Sequence, residues 1–465
     1  MSHTLFTQVT IIGGGFSGVM TAVNLARLGL PSSEITILNT LRPAGRGVAY
    51  GTRRMEHLLN VAARNMSAFP DLPDHFVNWL RSRSEFDLIR ENELRERFIP
   101  RVIYGDYLRS LMHHHLPDAR LVDAEAVDYA NRMVLLAGGG SIEAGRVVLA
   151  TGNEAPADLP GAESLQENPA WAGNPWLPWH ERLPPDTESI VLLGTGLTTV
   201  DAIITLRALG WLGRIHAVSR HGWLPHAHFR GVEYPDFPPA DTDLAALGLD
   251  RLAALMEDHC ARLRAMGANP AIIVDKMRPH TQRIWQGFSL EQRLAFTRQH
   301  AARWNVLRHR IAPEIHAQIT SAQLTGQLQV HAENIEHVEA AGARVRVHFE
   351  GGGQLEGGLV INATGPRTRF SSTRSVLLRN LLRRGLISSD DMDMGARVDG
   401  SHTVIDRDGG VSPYLLALGP LLRGTYWETI AVPELRGQAL RVAETILGQK
   451  STPAAETPVM MEYMI

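Results

Sequence analysis

Gly13-Gly14-Gly15-Phe16-Ser17-Gly18 follows the apolar run Val9-Thr10-Ile11-Ile12. It opens a stretch, Phe16 to Leu30, in which Val19, Ala22, Val23 and Leu25 fall at helical spacing. Glycines so placed between a strand and a helix suit the pyrophosphate of a dinucleotide. Gly13 permits the tight turn, Gly15 lets backbone approach the phosphates, and Gly18 lets helix and strand pack closely. The helix N-terminus, with Phe16 and Ser17, faces the anion. The order recurs as strand Ile190-Val191-Leu192-Leu193, turn Gly194-Thr195-Gly196, helix Leu197 to Leu209 and strand Arg214 to Val218. Thr199 stands where the third glycine would, so this second match is partial, and Gly194, Gly196 and Thr198 are its candidate cofactor contacts. A duplicated strand–turn–helix–strand unit organises the chain and predicts parallel sheets covered by helices.

The strand after each helix ends differently. Ile35-Thr36-Ile37-Leu38 runs into Asn39, where an acid usually holds the ribose hydroxyls. Asn39 either makes that bond without charge assistance or simply caps the strand. The second unit continues as Ser219-Arg220-His221. A cation there suits the 2′-phosphate of NADP, whereas NAD sites usually place an acid; the alternative is a solvated surface arginine. Two further apolar strands end in Ala150-Thr151-Gly152 and Ala363-Thr364-Gly365. Such turns mark crossings between two nucleotide domains, so Thr151, Gly152 and Gly365 join the candidates.

The 465 residues contain one cysteine, Cys260. No intramolecular disulfide or redox dithiol can form, so electrons entering a two-dinucleotide protein must leave to O2, a quinone or a small substrate. With 46 Lys+Arg and 49 Asp+Glu the net charge is −3, which offers no bulk attraction for nucleic acid. The apolar stretch Val9 to Leu30 is broken by Gly13, Gly14, Gly15, Ser17, Gly18, Asn24 and Arg27, unlike the roughly 20 apolar residues of a membrane helix. The first residues lack the basic segment of a secretory signal. A cytoplasmic protein is the expectation, free of membrane and nucleic acid, acting on a small molecule with O2; homo-oligomerisation is left open.

Further stretches share this pattern of types. They are Gly45-Arg46-Gly47-Val48-Ala49-Tyr50-Gly51-Thr52, His57-Leu58-Leu59-Asn60-Val61, Met66-Ser67-Ala68-Phe69-Pro70, Arg308-His309-Arg310 and Trp427-Glu428. With the two glycine turns they make the chain, from Val9 to Leu447, resemble the HpyO/CreE-type flavoproteins, bacterial FAD- and NAD(P)H-dependent hydroxylases. The resemblance implies an α/β fold of two Rossmann-like domains, for FAD and for NADH or NADPH, with a helical insertion. It implies that Arg46, Gly47, Leu59, Asn60 and Val61 lie along the isoalloxazine, with Met66 and Ser67 on the substrate side. Ala126 and Val127 would hold the adenine. Gly419-Pro420 and Trp427 to Ala431 would close over the flavin, with a helix N-terminus near Pro433 at its N1–C2 edge.

The lack of an added domain points within that family to urate hydroxylation at C5, giving 5-hydroxyisourate through a flavin C4a-hydroperoxide in purine catabolism. The alternatives are an amino-acid N-hydroxylase of the same fold and an NAD(P)H:acceptor oxidoreductase without oxygen insertion. A bound anion would want an arginine clamp, for which Arg64, Arg308 and Arg310 are candidates, each of which is also a natural ion-pair residue. No catalytic base stands out.

The elements that must position these residues divide into a first FAD-binding part at 1–156, an NAD(P)-binding part at 186–345 with a helical insertion at about 241–320, and a return to the FAD domain at 346–450. Pro156 to Pro185, with Trp171, Trp176 and Trp179, reads as an ordered linker. Alternation within Gln327 to Phe349 predicts antiparallel strands. His113-His114-His115 cannot converge on one metal from a helix, and no metal is expected. Trp285, Phe288, Trp304 and Cys260 read as core, and Asp201 as a cap for nearby amides.

Overall fold

The computed structural model describes residues 5–40, 44–229 and 233–449. β1 (Leu5–Ile12) turns into α1 (Phe16–Arg27) and β2 (Ile35–Leu38). α2 (Arg101–His115) leads to β3 (Arg120–Val122), the hairpin β4 (Ala126–Ala130) and β5 (Met133–Leu136), then β6 (Ser141–Leu149). The second unit holds β7 (Trp171–Ala172), β8 (Ser189–Leu193), α3 (Leu197–Ala208) and β9 (Arg214–Ser219). The insertion is α4 (Gly248–Ala265), α5 (Ala271–Met277), α6 (Thr281–Gly287), α7 (Leu290–Gln299) and α8 (Ala301–Arg308). α9 (Pro313–Leu324) and β10 (Leu328–Ala332) re-enter the second unit. β11 (Ile335–Ala341), β12 (Arg344–Phe349) and β13 (Gln354–Gly357) precede β14 (Leu359–Asn362). α10 (Val376–Arg384), β15 (Thr403–Ile405), β16 (Val411–Ala417) and α11 (Val432–Leu447) complete the first unit.

One sheet runs β15-β16-β6-β1-β2-β3, with the β4–β5 hairpin joined to β6 through β5. The other runs β10-β9-β8-β14-β7 and is parallel throughout. Every residue of β2 and β14 is buried, because helices cover both faces of a parallel sheet and leave no side for water. α1 packs on α11 over the first sheet. The insertion has its own core, in which Trp285, Phe288, Trp304 and Cys260 all lie, together with Trp427 from the returning chain.

The two units repeat at the level of single torsions. The Gly13 amide donates to Leu38 at 2.9 Å and the Gly194 amide to Val218 at 2.7 Å. Both glycines have φ of 115°. The helix caps Gly15 and Gly196 share φ of −83° with ψ of −168° and −165°. Each strand-end alanine packs its carbonyl against the first glycine of the turn, so a Cβ on Gly13 would sit 2.1 Å from the Ala150 oxygen and one on Gly194 2.3 Å from that of Ala363. The two Ala-Thr-Gly segments thus occupy equivalent places against the two glycine turns.

Three expectations need correction. Leu328 and Val330 alternate, yet β10 pairs parallel with β9; only β11, β12 and β13 form the antiparallel sheet. Alternation reports one buried face and does not report strand direction. β14 pairs with β8, so the chain leaves the second unit after Asn362 and not at residue 346. Residues of α9 pack into the second unit's core, so the insertion's own helices end with α8.

Gly194→Ala, forced to hold φ of 115° against a backbone oxygen, is expected to lower the unfolding free energy by about 3 kcal/mol. Gly196→Ala, with nothing within 4 Å of its Cβ, is expected to change it by less than about 0.5 kcal/mol. Denaturant titration of both variants checks the contrast.

Candidate active site

At the first glycine turn Gly15 is approached by backbone alone. A Cβ on Gly15 would lie 3.6 Å from the Gly47 Cα, and one on Gly47, whose φ is 56°, would lie 3.0 Å from the Gly15 Cα. The Gly45 amide donates to the Gly14 carbonyl at 2.8 Å, clamping the Arg46-Gly47 turn to the first turn. Gly419 arrives from the other side, where a Cβ would meet Ser17 Oγ at 3.1 Å. α1 has no side-chain cap and no acid in its first turn, and the same holds for α3. Amides left open at a helix start, approached only by glycine backbone, fit an anionic pyrophosphate. The residues present therefore fit FAD at the first turn and a pyridine dinucleotide at the second. Asn39 follows β2 and lies against Gly14, its side-chain amide 2.8 Å from where a Cβ on Gly14 would stand.

In the second unit Thr199 Oγ1 donates to the Gly194 carbonyl at 2.8 Å, so a hydroxyl bond replaces the third glycine's contact. Register makes Ser219 the counterpart of Asn39. Its hydroxyl pairs with Thr195 at 2.8 Å and accepts from the Gly222 amide at 3.1 Å. A neutral group occupies the position an acid would take, and the exposed Arg220 follows it. Thr198 lies in the first turn of α3. Thr151 precedes Gly152 (φ 72°), and Gly365 has φ of 96°, with no neighbour within 4 Å of a Cβ on either glycine. The Val127 carbonyl accepts from Asn380 Nδ2 at 2.8 Å, so its contact to an adenine would be through the amide.

Residues His57 to Asn60 are held by the strand-like segment Ile99 to Arg101. The Leu59 amide donates to Ile99 and the Arg101 amide to His57, both at 2.8 Å. The Asn60 carbonyl accepts from His228 Nε2 at 2.7 Å, and this fixes the tautomer, leaving the lone pair on Nδ1. That Nδ1 is buried with no hydrogen-bond partner. Burial, with Arg310, Arg308 and Arg64 adding, pushes the His228 pKa down to about 4. His228 was not among the sequence candidates; its only signal was a histidine directly before Phe229. The three candidate arginines thus share one neighbourhood, but they differ in use. Arg64 pairs with Glu96. Arg310 forms two bonds to Asp275, at 2.8 and 2.7 Å, and lies over the Phe229 ring. Arg308 has its Nε 3.5 Å from Glu428 and its Nη2 4.0 Å from Glu434, and neither nitrogen makes a hydrogen bond.

The insertion grips the segment from Gly419 to Glu434. Trp304 Nε1 donates to Glu428 Oε1 at 2.9 Å, Gln282 to the Glu428 carbonyl at 2.8 Å and Trp285 Nε1 to the Gly424 carbonyl at 2.7 Å. Burial alone would raise the Glu428 carboxyl, but Arg308, His309 and the Trp304 bond hold it below the usual carboxylate range. Trp427, at φ of 58°, packs 4.9 Å from the Trp285 ring. Gly419, Gln438 and Thr429 close a hydrogen-bonded ring of 2.7 to 2.9 Å. Pro433 stands in the first turn of α11, and its neighbour Glu434 is taken by Arg278 at 3.0 Å.

Asp201 is not a cap; it pairs with Arg101. Asn60, Val61, Met66 and Ser67 lie in one run, whose Ser67 carbonyl accepts from Arg436 at 3.1 Å. Arg46 pairs with Asp106. Among the described residues one group, His337, Glu339 and His348, has a spacing that would suit a metal, and Glu339 already binds Arg346. The triple histidine ends α2.

A model of an FAD-NAD(P)-binding family matches residues 10–154. The fold is an FAD- and NAD(P)-binding one. No curated protein matches in sequence. Among solved structures, the ornithine N-hydroxylase of Kutzneria sp. 744 shares 14% identity at a TM-score of 0.64, covering 96% of this chain and 100% of its own. The L-lysine 6-monooxygenase of Pseudomonas syringae shares 15% at 0.64, covering 95% and 99%. The bacillithiol disulfide reductase of Staphylococcus aureus shares 12% at 0.55, covering 96% and 100%. No helix among the described residues is long and apolar enough to cross a membrane.

Two outcomes follow from the buried charges. Arg278→Met leaves Glu434, whose side chain is 9% exposed, without its closest cation, and is expected to cost about 3–5 kcal/mol by calorimetry. His228 has a native pKa near 4, below the unfolded value of about 6.5, so the unfolded chain binds the extra proton as pH falls. Its contribution is full above about pH 6.5 and is lost toward pH 4. The slope of unfolding free energy between those limits is expected to be shallower by up to about 1.4 kcal/mol per pH unit in His228→Gln.

Proposed function

We propose that this chain is an FAD-dependent, NADPH-consuming monooxygenase that hydroxylates the amine nitrogen of a small amino acid or diamine. The observation that carries this reading is His228, a neutral, buried imidazole with an unpartnered Nδ1 among three arginines beside Asn60. When bound, reduced FAD supplies the activation of O2. The protein's part is to present a nucleophile. Burial beside Arg308, whose Nε and Nη2 make no hydrogen bond, lowers the pKa of an ammonium brought near it, so the amine is held as the free base. His228 Nδ1 accepts a hydrogen bond from that amine and orients its lone pair. Its own low pKa keeps it from retaining the proton released as the N–O bond forms, which passes to solvent. The segment from Trp427 to Ala431 and the insertion exclude water from that neighbourhood.

A thiol acceptor does not suit this chain. Cys260 is buried in the insertion core, and burial raises its pKa. Likeness to ornithine and lysine hydroxylases over nearly the whole chain supports an amine over urate, and no feature of the site favours a purine. Incubation of the FAD-loaded protein with NADPH, labelled O2 and a panel of amino acids and diamines tests the reading. The expected result is amine-stimulated NADPH oxidation with one labelled oxygen in a hydroxylamine product. Peroxide matching all NADPH consumed, with every amine, overturns it. Loss of urate absorbance instead would restore the purine reading, and rapid turnover with quinones alone the reductase.

A further inference from the structure

The nucleotide-binding helix of the second unit is bolted to the flavin-side segment of the first. Arg101, the first residue of α2, forms a two-pronged ion pair with Asp201 in α3, at 2.5 and 3.0 Å. Its Nε donates to the Leu58 carbonyl at 2.9 Å, so one guanidinium joins α3 to the segment that carries Asn60. Four residues on in α3, one turn further and on the same face, Thr205 Oγ1 bonds His57 Nε2 at 2.8 Å. His57 Nδ1 is itself held by Thr52 at 2.9 Å. Leu58 and Phe98, both from the first unit, pack on the second unit's core. Arg101 and Asp201 keep 20% and 26% of their side-chain surface exposed, so the pair is shielded enough to be strong. An interface between domains of one chain is by default a place of relative motion; here paired ionic, imidazole and apolar contacts converge on a single helix and a single segment.

We propose that Arg101, Asp201, His57 and Thr205 are positioning residues for flavin reduction. α3 binds the pyrophosphate of the pyridine nucleotide at its first turn, and the bolt sits on its second and third turns. It therefore sets where the nucleotide stands relative to the Leu58-to-Val61 segment beside the flavin. The step served is transfer of one hydride from NADPH to FAD, leaving NADP+ and, with one solvent proton, FADH2. The inference rests on the FAD- and NAD(P)-binding fold and not on the identity of the hydroxylated substrate.

Asp201→Asn removes the charge and Thr205→Val removes the hydroxyl; each is tested as the FAD-loaded full chain. Stopped-flow reduction at saturating NADPH is expected to slow on the order of tenfold to a hundredfold, the penalty for small misplacement of reacting groups. Reoxidation of dithionite-reduced enzyme by O2 and the NADP+ dissociation constant are expected to stay within about twofold, since neither needs the alignment. Hydrogen exchange gives a readout apart from turnover. NADP+ should slow exchange across residues 57–61 in the natural protein and fail to do so in either variant. Wild-type reduction rates in both variants overturn the proposal. So does slower reduction that is matched by weaker NADP+ binding or by slower reoxidation, because the bolt would then hold the fold and not the alignment. If Asp201→Asn does not retain FAD, Thr205→Val decides alone.

Discussion

Two backbone turns must touch each other and still leave room for a phosphate. That constraint governs the first unit. Gly15 and Gly47 meet through Cα atoms: a Cβ on Gly47 would lie only 3.0 Å from the Gly15 Cα, and one on Gly15 would lie 3.6 Å from the Gly47 Cα. The contact works only if β1 delivers the first turn and the segment after β2 delivers the second at fixed height. The parallel sheet does this by matching Ile12 to Leu38 and to Leu149. The alanine carbonyl at the end of β6 then presses on Gly13, and the whole strand-end layer becomes one surface of backbone. The second unit repeats that layer around β8, β9 and β14 with the same torsions.

Around these two rigid layers the charged residues act as fasteners. The insertion uses indole and amide donors on the backbone of residues 424 to 428, and buried ion pairs on Glu428 and Glu434. Carboxylates removed from water cost several kcal/mol unless each oxygen is satisfied. Glu428 meets that demand at one oxygen through the Trp304 hydrogen bond and is offset at the other by the Arg308 charge 3.5 Å away, so the segment that carries it has few alternative conformations. His228 is the counterpart on the other side, joining the second unit to Asn60.

Much of this was legible in the sequence, and the reason is local. Gly13 to Gly18 and Gly194 to Gly196 announce turns because only glycine fits, and their flanking apolar runs announce parallel strands. Long-range pairings leave no such mark. Arg101 and Asp201 are a hundred residues apart, and each looks like an ordinary surface charge. His228 sits in an unremarkable loop. Arg64 and Arg310 share the residue type of Arg308, and only the fold reveals that Glu96 and Asp275 occupy them. The direction of β10 was misread because alternation records which face is buried and nothing about the neighbouring strand. The boundary at residue 346 was misplaced because β14 follows an antiparallel sheet but belongs to a parallel one.

Cys260 has a consequence of another kind. The residue is 5% exposed, and burial raises its thiol pKa, so the reactive thiolate is scarce. Flavoproteins that handle O2 release some peroxide beside their own side chains, and thiolates are the first groups to be oxidised. A chain with one thiol, protonated and enclosed in a helical core, offers peroxide almost nothing to attack among its cysteines. The same scarcity that removes dithiol chemistry would leave peroxide, the by-product of the oxygen chemistry proposed above, almost no thiol to oxidise.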